Sequence, residues 1–156
     1  MNLQLNQISS FQGFDTHPNL LQVDLFTNNI SSIPQLSLPK LKWLNLCKNQ
    51  ISSSEFSFLP SLEYLNLGSN KISKFPNLQK QLLLSELLLN SNQIEQVDSF
   101  SFPILKTFKI NVNKLVSFNM GFCPLLETLN LSDNLLTEIN VMSNFPLLKN
   151  LDLSFN

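Results

Sequence analysis

The sequence contains no arginine and no alanine, one histidine, two cysteines and three glycines, and only 13% of its 156 residues are charged. Without Arg the chain lacks the planar fork best suited to guanine edges and phosphates. A net charge of -1 supplies no basic field to hold a nucleic-acid backbone, so nucleic acid is not an expected partner. The three glycines form neither G-x-x-x-x-G-K nor G-x-G-x-x-G, which argues against a phosphate-cradling loop and a nucleotide cofactor. No apolar run reaches the roughly 20 residues of a membrane span, and the N-terminus does not open on a basic segment followed by an apolar one. Absent alanine beside abundant Asn, Phe, Ile and Lys suggests an AT-rich coding genome.

What is abundant is a recurring pattern. Leu41-Lys42-Trp43-Leu44-Asn45-Leu46-Cys47-Lys48-Asn49-Gln50-Ile51 follows the skeleton L-x-x-L-x-L-x-x-N-x-I. The skeleton recurs at Leu20, Val23, Leu25, Asn28, Ile30; at Leu62, Leu65, Leu67, Asn70, Ile72; and at Leu84, Leu87, Leu89, Asn92, Ile94. Further copies are Leu105, Phe108, Ile110, Asn113, Leu115 and Leu126, Leu129, Leu131, Asn134, Leu136. Met1, Leu3, Asn6 and Ile8 fit the second half of a copy, and Leu148, Leu151, Leu153 and Asn156 begin another. Successive skeleton Asn residues are 21 or 22 positions apart, a period that signals stacked units sharing one continuous core.

Each unit carries a short alternating segment, such as Trp43-Leu44-Asn45-Leu46-Cys47, that predicts a strand with its leucines inward. Stacking places these strands in one parallel sheet. The ladder residues Asn28, Asn49, Asn70, Asn92, Asn113 and Asn134 follow where the chain leaves the sheet, and their amides suit backbone groups that a bend strips of partners. Pro18, Pro39, Pro60, Pro103, Pro124 and Pro146 stand two residues before the first skeleton Leu, ending any helical turn and launching the next strand. Leu82 replaces this proline in one copy, so an irregularity is expected between Ser73 and Leu83. Phe56, Phe58, Leu59, Phe100, Phe102, Phe118, Phe122 and Phe145 are expected to fill the space between sheet and outer wall.

The skeleton resembles the leucine-rich-repeat family over essentially the whole chain, in its short, intracellular, typically eukaryotic form. The resemblance implies an α/β fold, a curved right-handed solenoid with a parallel sheet on the concave face and short helical or 3-10 turns and loops on the convex face. Residues 1–156 then form a single array of eight repeats, the first and last incomplete. It implies a non-enzymatic scaffold or adaptor that binds a protein partner on the concave face. A cell-surface adhesin or recognition receptor, or a structural segment of a larger assembly, is the alternative.

No catalytic, cofactor or metal site is expected. His17 lies beside Pro18 in a connection, on a different unit from Cys47 and Cys123. Asp24, Glu86 and Asp152 occupy distant copies, too far apart for paired carboxylates or a metal cage. At roughly 5 Å per repeat the two thiols lie beyond the roughly 7 Å limit for a disulfide, and the lack of cysteine-clustered caps favours a reducing, cytoplasmic location. Asn29-Ile30-Ser31 and Asn130-Leu131-Ser132 match glycosylation acceptors, matches that an Asn- and Ser-rich chain produces by chance.

The outward positions of the strands form the candidate partner-binding surface: Phe26, Trp43, Asn45, Tyr64, Asn66, Glu86, Leu88 and Lys109. Trp43 and Tyr64, the only Trp and Tyr, share a column in adjacent strands with Phe26 close by. Such aromatics anchor a partner or pack strand against strand, and sequence leaves both open. Asn45, Asn66 and Asn130 share a second column, free to bond among themselves or to a partner. Neither end carries a cap, so further repeats or a neighbouring chain are expected to cover Leu3 and Ile8, or Leu148, Leu151 and Leu153. Light scattering that shows a stable monomer at high concentration would contradict this.

Overall fold

The computed structural model describes residues 1–10, 12–33, 36–53, 55–140 and 142–156. Seven three-residue strands form one parallel sheet: β1 Gln22–Asp24, β2 Trp43–Asn45, β3 Tyr64–Asn66, β4 Glu86–Leu88, β6 Thr107–Lys109, β8 Thr128–Asn130 and β9 Asn150–Asp152. Each pairs with the strand of the next repeat without slippage, so Val23, Leu44, Leu65, Leu87, Phe108, Leu129 and Leu151 form one row. Asn2 bridges to Asp24 and extends the row of units by one. The expected parallel-sheet solenoid of leucine-rich-repeat type is present. Every inward strand residue from Val23 to Leu129 is buried, because alternation turns one side of each strand toward the core.

The strands are short because the backbone swings into the left-handed region soon after each one. Leu5, Thr27, Lys48, Ser69, Ser91, Val112, Asp133 and Phe155 all have φ between 53° and 58°. Each immediately precedes a skeleton Asn, and none is glycine. A β-branched residue is least at ease there. Val112 is also 46% exposed, so its side chain contributes little packing in return. Val112→Asn is expected to raise stability by about 1 kcal/mol, readable as a higher melting temperature. An unchanged or lower value would mean that the Val112 side chain holds contacts worth more than the strain.

Past the ladder the chain crosses the outer side and returns through a turn. The N–H of Leu41 donates to the Leu38 carbonyl, Leu62 to Leu59, Leu126 to Cys123 and Leu148 to Phe145, at 3.1–3.2 Å. Each turn holds its proline at the second position, where a fixed φ is favourable. At Leu82 the same turn closes without proline, through Leu84 N–H to Gln81 at 3.3 Å, and a second turn, Gln81 N–H to Leu78 at 2.9 Å, precedes it. That added turn is the irregularity between Ser73 and Leu83.

The outer side carries 3-10 turns and loops, as expected, and a second sheet that was not. Two 3-10 turns, Phe14–Thr16 and Met142–Asn144, are the only helical elements among the described residues. Between them, β5 Gln96–Val97 pairs with β7 Ser117–Phe118 in a small second sheet. Repeats this short leave few residues for the return, and extended chain covers roughly twice the distance per residue of an α-helix.

The expected aromatic filling needs one correction: Phe58 and Phe122 are 53% and 55% exposed. Both stand two residues before proline, whereas the residue immediately before it turns inward, as Leu38, Leu59, Phe102, Cys123 and Phe145 do. In an extended segment neighbouring positions point opposite ways, so the two cannot both be core. Phe75 joins the interior instead, stacking on Phe100 at 4.9 Å and meeting Phe108 edge-on at 6.2 Å. Gln81 occupies the inward position of its repeat and is 2% exposed. Its burial is tolerated because its carbonyl accepts from Leu59 N–H at 3.2 Å and its amide donates to Ser57 C=O at 2.8 Å.

Candidate binding face

The ladder residues link each repeat to the one before. Asn70 shows the arrangement: its Nδ2 donates to the carbonyls of Leu46, Leu67 and Gly68 at 3.0–3.1 Å, and its Oδ1 accepts from Ile51 N–H at 3.0 Å. Asn28, Asn49, Asn92, Asn113 and Asn134 repeat the same four contacts. All are buried except Asn113, which is half-buried. An amide supplies both the donors and the acceptor that this corner needs.

The opposite side of the strands is open and forms parallel columns. In the first, Trp43 and Tyr64 stack with ring centroids 5.0 Å apart and planes 9° from parallel, both half-buried. The stack packs strand on strand and still presents a half-exposed aromatic plate. Glu86 follows in the same column and is exposed. Burial pushes the Tyr64 hydroxyl above its ordinary pKa, despite the Asn66 amide that donates to it at 3.3 Å, and Glu86, Cys47 and Asp24 raise it further. Phe26 lies one repeat from Trp43 in a neighbouring column, with the Lys48 ammonium 5.3 Å from its ring centre.

The second column bonds mainly to its own chain. The Oδ1 atoms of Asn45, Asn66 and Asn130 accept from the N–H two residues on, at 3.1, 2.9 and 3.0 Å. Asn45 Nδ2 donates across repeats to Asp24 Oδ1 at 3.1 Å. Leu88 and Lys109 interrupt the column, half-buried and exposed respectively. The fold therefore brings Phe26, Trp43, Asn45, Tyr64 and Asn66 together across three strands, with Glu86, Leu88 and Lys109 on the next two. Beyond them an open cleft of about 430 Å³ is lined by Lys109, Thr128, Asn130, Lys149, Asn150 and Asp152, among others. Sequence reading missed the left-handed positions and the second column's bonds to its own chain. The only local cue was the recurrence of Asn or Asp at that position.

Reactive groups stay apart. His17 follows a 3-10 turn and has Nδ1 2.8 Å from Thr16 Oγ1. Cys47 is half-buried on the sheet face, whereas Cys123 is buried at an outer corner and accepts from Phe102 N–H at 3.5 Å. Burial pushes both thiols above the ordinary cysteine pKa, away from nucleophilic character. No group of three or more potential metal ligands occurs among the described residues, and no helix is long and apolar enough to cross a membrane.

The family model for leucine-rich repeats, in its two-copy form, matches residues 39–80. No curated protein matches the chain. Among solved structures, an internalin (inlF) from Listeria monocytogenes is similar, with 25% identity and a TM-score of 0.65 over 98% of this chain. The chain spans 40% of that internalin's length. Residues 39–80 thus match leucine-rich repeats, and the chain as a whole has the fold of a leucine-rich-repeat solenoid. Proteins of this family are typically non-enzymatic modules for protein–protein interaction.

Proposed function

We propose that the chain is a non-enzymatic interaction module that binds a protein partner on its sheet face, with Trp43 and Tyr64 as the anchor. The observation that carries this reading is the stacked, half-exposed aromatic plate on two adjacent strands, flanked by the polar residues Asn45, Asn66 and Glu86. Large aromatics with a polar surround are the usual composition of an energetic centre in an interface. Two unlinked thiols, one of them on the open face, support a reducing cytoplasmic setting, which the distribution of the tagged protein in cell fractions tests. Trp43→Ala with Tyr64→Ala is expected to weaken binding of a protein recovered on the immobilised chain by about thirtyfold or more, measured with purified components. The melting curve should change little. Undiminished binding, or a loss matched by unfolding, would assign both rings to strand packing alone.

A further inference from the structure

The second column leaves two backbone donors open. In a continued parallel ladder the N–H of Asn90 would bond to the Leu67 carbonyl and that of Asn111 to the Leu89 carbonyl, as Glu86 and Thr107 bond to Glu63 and Ser85. Ladder residues Asn92 and Asn113 occupy those two carbonyls, each at 3.0 Å. Elsewhere the displaced N–H is capped by the residue two before it, as Phe26 is by Asp24, Gly68 by Asn66 and Ser154 by Asp152. In β4 and β6 that residue is Leu88 or Lys109, and neither carries an acceptor. The N–H groups of Asn90 and Asn111 consequently have no acceptor among the described residues.

These donors sit on adjacent repeats, about one strand spacing of ~4.8 Å apart. Lys109, two residues before Asn111 on the same open face, is exposed and in no ion pair among the described residues. Neighbouring backbone N–H groups without an acceptor attract an anion, and a nearby ammonium strengthens the attraction. The fold itself displays the matching acceptor: a carboxylate oxygen of Asp24 or Asp152 lies 3.0 Å from the equivalent N–H at other repeats.

We propose that the N–H groups of Asn90 and Asn111, together with the Lys109 ammonium, are a docking point for a Glu or Asp side chain of the protein partner. The proposal rests on the sheet face being the interaction surface. The probe is acetyl-tetraglutamate amide, titrated at neutral pH into the 15N-labelled full chain, with acetyl-tetraglutamine amide as the uncharged control. The Asn90 and Asn111 amide protons should move downfield and saturate with the Glu peptide and stay in place with the Gln peptide. Lys109→Met should weaken the response. Leu88→Asn combined with Lys109→Asn restores both internal caps, so it should abolish the response while leaving the melting temperature equal or higher. Shifts spread evenly over the face, an equal response to the Gln peptide, or a response that survives the double substitution would overturn the proposal. A failed peptide titration beside a partner lost on removing Trp43 and Tyr64 rejects the carboxylate site alone. The opposite pair of results rejects only the aromatic anchor.

Discussion

Leu87→Ala and Leu129→Ala should each lower the unfolding free energy by about 2 to 5 kcal/mol, the range for deleting a fully buried leucine. Both side chains have at most 1% of their surface exposed, each enclosed between repeats on either side. A cavity there loosens two interfaces, because every unit of a solenoid is stabilised by its neighbours. Leu151 occupies the same row and is 41% exposed, so Leu151→Ala should cost no more than about 1 kcal/mol. Urea unfolding of the three variants decides the matter. Equal midpoints for Leu87→Ala and Leu151→Ala would contradict the idea that burial, rather than place in the motif, sets the cost.

The ladder yields the second large effect. Asn70→Ala removes three donations and one acceptance at a side chain that is 9% exposed, leaving Ile51 N–H and three carbonyls without that partner. At about 1 to 3 kcal/mol per buried group left unsatisfied, and with some groups reached by water, a loss of about 2 to 4 kcal/mol is expected. Asn70→Asp distinguishes the donors from the acceptor. Its carboxylate would still accept from Ile51 but would face three carbonyls, which disfavours the charged form and raises the folded-state pKa above the unfolded value of about 3.9. The folded state then binds the extra proton, so this variant should lose stability, relative to the native chain, as pH rises above about 4. A pH-independent difference between the two would show that the corner is wet enough to solvate the charge.

That Leu87 and Leu129 point inward was legible in the sequence, because a strand's period of two and the repeat's period of 21 or 22 leave one consistent register. The ladder role of Asn70 was legible for the same reason: a polar residue that recurs where each strand ends must serve backbone groups. Phe58 and Phe122 were misread as core because no periodic rule reaches the irregular outer segments, where a one-residue difference in distance from proline reverses which way a side chain points. The small outer sheet of β5 and β7 likewise depended on how few residues remain to span that side.

The sequence by itself determined the solenoid, its register, the rows of leucine and asparagine, and the side of the sheet that carries the variable residues. Each of these follows from local periodicity, and stacking copies it from one unit to the next. Only the tertiary structure decided that Trp43 lies flat on Tyr64 and that Asn45, Asn66 and Asn130 turn back to cap their own strands. It also decided that Asn90 and Asn111 keep open N–H groups. The caps and the open N–H groups depend on which carbonyl a ladder Asn from the next repeat has already taken, a competition between groups about 20 residues apart in the chain that no single repeat contains.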